Sequence, residues 1–71
     1  MNVDDIIRES FRKVAAGDNK KGSFLTSFAQ AVVRADRLNA MILKPVCITL
    51  IFKYGLCDDM ERFQHMLRDE F

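Results

Sequence analysis

Residues 40–54 read AMILKPVCITLIFKY, an apolar run broken by Lys44 and Pro45 and closed by Lys53, with Gly55 directly after it. How this segment folds decides the fold of the chain. Val46, Ile48, Thr49 and Ile51 are β-branched or rich in strand preference and are compatible with a strand. A lone strand would have no partner within so short a chain, so helix is the expectation. Asn39 is placed to cap that helix and Gly55 to end it. Pro45 lacks the N–H that would reach the Met41 carbonyl, and its ring crowds that carbonyl. Either the helix kinks there, or a short helix ends near Leu43 and another begins with Pro45 in its first turn.

Working outward, Ser23 is expected to cap a helix over 24–35. Its apolar residues, Phe24, Leu25, Phe28, Ala29, Ala31, Val32, Val33 and Ala35, wrap more than half the cylinder, as in a central helix. Asp36–Asn39 is the turn between the two segments. Upstream, Asn2 and Asp5 form a box-like start for a helix over 3–16. Val3, Ile6, Ile7, Phe11 and Val14 recur there at three- and four-residue spacing on one side. Gly17 supplies its stop. Downstream, Asp58 with Glu61 reads as a capping box for a last helix over 59–70, with Met60, Phe63, Leu67 and Phe71 as its stripe and Met66 beside it. The expectation is one all-α, four-helix domain over 1–71, with Phe24–Tyr54 at its centre.

Size sharpens this. The chain has 71 residues, 49% of them apolar. A domain this short buries only about 60% of its unfolded surface. The apolar surplus therefore predicts an interface, most simply a homodimer, and Met60, Phe63, Met66 and Phe71 are its candidate apolar anchors. The two cysteines, Cys47 and Cys57, make no disulfide framework and suit a reducing, intracellular setting. The acidic start MNVDDII lacks the basic region of a signal peptide, and no run approaches the ~20 apolar residues of a membrane span.

Net charge is +1, unevenly placed. Between Arg12 and Lys53, eight basic residues face only Asp18 and Asp36, giving +6, while both flanks are acidic. Lys20, Lys21, Arg34, Arg37 and Lys44 are therefore the candidate contacts to an acidic partner or to phosphates. Two helices joined by Asp36–Asn39 suggest a helix-turn-helix, but the second would offer base edges little besides Lys44 and Thr49.

Other constellations carry less. G-D-N-K-K-G-S at 17–23 is part of a phosphate loop, but no lysine follows Gly22 and no strand precedes Gly17. Paired helix caps explain it. Cys47, Cys57 and His65 lack the close ligand pairs of a zinc site, and His65–Asp69 is a helix-stabilising pair. No catalytic residue, metal ligand or cofactor is expected, and the chain reads as a non-enzyme.

KKGSFLTSFAQAVVRADRLNAMILKPVCITLIFKYGL, residues 20–56, resembles a pattern in small proteins of phages and other mobile elements: a GSFL entry, AD, N, L-x-P and a closing KY. The resemblance covers about half of the chain and implies neither an activity nor site residues. In size and class the chain is also similar to the compact helical anti-CRISPR inhibitors with which phages block defence nucleases, an analogy of class only. Together these imply a phage accessory protein, in the cytoplasm of a bacterial host, that binds and inhibits a host protein such as a CRISPR-Cas-type nuclease. The alternative is a small nucleic-acid-binding regulator using 12–53.

Overall fold

Four helices follow one another in the computed structural model, which describes residues 2–17 and 22–70: α1 (Val3–Ala15), α2 (Ser23–Arg34), α3 (Arg37–Tyr54) and α4 (Met60–Glu70). There is no strand among the described residues, so the β-branched run of 46–52 is helical. The radius of gyration, 11.4 Å, matches the ~11 Å of a compact chain of this length.

α1 forms as its sequence directs. The Asn2 side chain accepts the Asp5 amide at 2.9 Å, and the Asp5 carboxylate accepts the Asn2 amide at 3.4 Å. Asp4 and Asp5 lie at the positive end of the helix, Arg12 and Lys13 at the negative end. Val3, Ile6, Ile7, Phe11 and Val14 are buried along one stripe. Ser10 is buried among them, and its hydroxyl donates to the Ile6 carbonyl at 2.8 Å, so no polar atom is orphaned.

The centre of the domain is α1, not Phe24–Tyr54. α2, α3 and α4 all lie against α1, and α2 does so most extensively. α2 buries only Leu25 and Ala29, and α3 only Cys47, Leu50 and Ile51. The reason is geometric. One short amphipathic helix offers a common floor to three neighbours, each of which turns one side to it. The second apolar sides of α2 and α3 would need a further layer, and a chain this small has none. Two ring pairs tie the floor together: Phe11 meets Phe28 edge-on at 5.7 Å, and Phe52 tilts over Phe63 at 5.6 Å.

Three caps differ from expectation. Ser23 is the first helical residue of α2, and Gly22 is its cap. Gly22 has φ 102°, which only glycine adopts freely, and this brings the chain directly into the helix. Its carbonyl accepts both the Thr26 amide and the Thr26 hydroxyl. Asp36 caps α3, three residues earlier than Asn39. Its carboxylate accepts the Asn39 amide at 2.8 Å, and the Asn39 side chain donates back to it at 3.3 Å. Both residues are good caps, but Asp36 adds helix before the apolar run. Asp59, not Asp58, caps α4, accepting the Arg62 amide at 3.0 Å. Asp58 is drawn away to Lys13 of α1, at 3.0 Å.

Pro45 does not break the helix. α3 runs continuously through it to Tyr54, where Gly55 at φ 62° donates its amide to Ile51. Met41 and Pro45 are both exposed, so the carbonyl that loses its donor lies on the solvent side of the helix, where that loss costs least. Thr49 donates its hydroxyl to the Pro45 carbonyl at 3.0 Å. No described helix is long and apolar enough to cross a membrane.

Candidate docking surface

Of the basic residues singled out in the sequence, the three that the structure describes differ in their surroundings. Lys44 is an internal strut. Its ammonium meets Asp4 of α1 at 3.0 Å and Glu70 of α4, so one side chain joins three helices. The hydrogen bond to Glu70 is the main reason its pKa rises above the ordinary lysine value; burial opposes the rise and the bond to Asp4 adds to it. Lys44 is thus engaged within the chain and is not a free surface cation. It is recruited because it is the one cation within the apolar run 40–52 and projects toward two carboxylates. Arg34 and Arg37 are exposed at the corner between α2 and α3, and among the described residues neither makes an ion pair. Lys20 and Lys21 lie outside the described residues.

The apolar anchors assigned to α4 also move. Phe63 is fully buried (0% exposed) and belongs to the core under Phe52. Met60, Phe63 and Leu67 do share one side of α4, and that side meets the Phe11–Leu25–Ile51 core, because α1 lies against it. Met60 and Met66 are half-buried against the same core. Phe71 lies outside the described residues.

The open apolar surface lies instead on the outer face of α3, the helix of Pro45. Leu38 is 68% exposed, Met41 65% and Ile42 64%, and Val46 and Phe52 are also open to solvent. The signal was present. The helix is apolar on every side, and an all-round apolar helix is ordinarily buried on every side. In this chain only the Cys47–Leu50–Ile51 side finds cover. Two shallow grooves flank the open face. One, of about 330 Å³, runs between α2 and α3 past Ala31, Arg34, Asn39 and Ile42. The other, of about 410 Å³, is lined by Met41, Lys44, Pro45 and Ile48. Between Leu38 and Phe52 the side chains most open to solvent on this face, Thr49 included, are uncharged, and the partly exposed Lys44 borders the second groove.

Cys47 is sealed in the core, and burial pushes its thiol up to about 11 from the ordinary 9.0. Cys57 is half-buried and donates its S–H to the Asp59 carbonyl. His65 is exposed. Among the described residues no three His, Cys, Asp or Glu side chains converge on a point where a metal ion could sit. At the glycine loop, Gly17 and Gly22 hold positive φ at a helix end and a helix start, as paired caps require.

Comparison with protein-family models, with curated proteins and with solved structures finds no match.

Proposed function

We propose that this chain is a non-enzymatic accessory protein that works by protein–protein contact, through the outer face of α3. The observation that carries the reading is the exposure of Leu38, Met41 and Ile42 on a helix whose opposite side is already packed. Those side chains, with Val46 and Phe52, leave on the order of 500 Å² of apolar surface in water, toward the top of the ~300–600 Å² found as the largest patch on a monomer. A face of that kind meets another apolar face rather than a phosphate backbone. In the setting implied by the phage-protein resemblance, its target is a host protein, and a defence nuclease is the target class that fits small inhibitors of this size.

Affinity capture from a bacterial host is the test. The tagged protein is expected to retain a specific host protein whose activity falls on titration, and Ile42→Glu is expected to abolish both effects. Gln64→Glu, at an exposed polar site on α4, should change neither. Equal recovery with parent and Ile42→Glu would overturn the reading.

A further inference from the structure

We infer that the resting occupant of the α3 face is a second copy of this chain, its α3 antiparallel to the first across a two-fold axis near Pro45. This rests on the reading of that face as a protein-docking surface and names its partner. Leu38, Met41, Pro45, Ile48 and Phe52 are spaced three, four, three and four residues apart. That is the a/d spacing of a helix–helix seam, continued over two heptads. Leu38, Met41 and Phe52 are exposed along it, Ile48 is half-buried, and Ile42 and Val46 widen it on one flank.

Three observations favour a copy over an unrelated protein. The first is area. One face supplies on the order of 500 Å², and two-fold pairing doubles this to the ~1,000 Å² that a specific interface needs. The second is self-match. A two-fold axis at Pro45 sets Leu38 opposite Phe52 of the copy and Met41 opposite Thr49, so large side chains meet smaller ones along the seam. The groove beside Pro45 offers space for the opposing Met41 or Ile42.

The third is charge. α3 opens with Arg37 directly after its cap Asp36, whose carboxylate is taken up by Asn39, so the exposed Arg37 stands at the positive end of its own helix. Antiparallel pairing brings the carbonyl end of the copy's α3 beside Arg37. Lys53 does not oppose it, because residues 37 and 53 are turned about 160° apart around the helix and fall on opposite flanks of the seam. Lys44, close to the axis, is held by Asp4 and Glu70 of its own chain, so two-fold pairing does not bring two unpaired ammonium groups together. A host protein that uses the same face must displace the copy.

Sedimentation velocity across roughly micromolar concentrations is the experiment. The parent should run with twice the 8.2 kDa chain mass. Ile42→Glu should weaken pairing at least about 100-fold, since it buries an unpaired charge, and should keep the parent's helical circular dichroism. Leu38→Gln serves as a second, milder variant. In a Cys57→Ser background, Pro45→Cys should oxidise to a covalent dimer and Leu38→Cys should not.

A monomeric parent overturns the inference. So does a dimer indifferent to both Ile42→Glu and Leu38→Gln, or one cross-linked through Leu38→Cys alone. A monomer that still captures a host protein in an Ile42-dependent way sinks the dimer and leaves the docking face standing. A monomer with no such dependence removes both.

Discussion

Phe63 separates a core from an interface in a single measurement. Its side chain is fully buried within one chain, beneath Phe52 and beside Phe11, Leu25 and Ile51. Removing a ring from such a site forfeits its transfer energy and leaves a cavity, together about 3–5 kcal/mol for Phe→Ala. A domain of this length has roughly 4–10 kcal/mol of stability in all. Phe63→Ala should therefore lose about a third of it or more, and Phe63→Leu, which keeps most of the volume, about 1–2 kcal/mol. Urea unfolding followed by helical circular dichroism reads both values from the shift in midpoint at constant slope. The loss should not depend on protein concentration, because the packing is internal. Ile42→Glu should do the opposite, moving the dilute-limit midpoint little and the association strongly. If Phe63→Leu and Phe63→Ala both fell within about 0.5 kcal/mol of the parent, the placement of α4 on α1 would be wrong.

Three further outcomes follow from the geometry. Asp36→Ala should cost about 1 kcal/mol in urea unfolding and Asn39→Ala less, because the carboxylate, and not the amide, carries the cap. Pro45→Ala restores a donor to the Met41 carbonyl at an exposed position and should stabilise the dilute monomer by about 1–3 kcal/mol in the same assay. Cys57 should react with a thiol reagent in the native protein, and Cys47 only on unfolding. The Cys47 thiol ionises at 9.0 when exposed and about 11 when folded, so its stabilising effect is complete below pH 9 and is lost as pH rises toward 11. That loss is at most about 2–3 kcal/mol and should be absent in Cys47→Ala. Lys44, also raised, adds a loss of the same sign above the ordinary lysine range.

The local parts of this fold were legible and the relational parts were not. The Asn2–Asp5 box, the α1 stripe and the stops at Gly17 and Gly55 depend on residues within one turn of each other, and they form as read. Tandem caps are harder. Asp58 and Asp59 are equivalent as neighbours in sequence, and the choice between them is made by Lys13, a residue forty-five positions away. α3 was the largest obstacle. Its apolar residues occupy every side, so periodicity gives no direction, and the buried side was set by contact with α1. The surplus of apolar residues was evident from composition, but its location on Leu38–Phe52 instead of the α4 stripe required the packing. Lys44 stood out as a cation in an apolar run. That it would turn inward followed from two carboxylates at opposite ends of the chain.

That strut has a topological consequence. Asp4 and Glu70 meet at one ammonium group, so the first turn of the first helix and the last turn of the last are neighbours in space. The described residues nearly form a ring, with an ion pair linking the first helix to the last. A linker of a few residues joining the ends, with new ends cut between Ala35 and Asp36, where the backbone is extended, should give a permuted protein of the same helicity. In that closed form Lys44→Met should cost less stability than in the open chain, because the linker takes over the work of holding the ends together. Equal losses in the two forms would show that Lys44 supports its surroundings and not the closure.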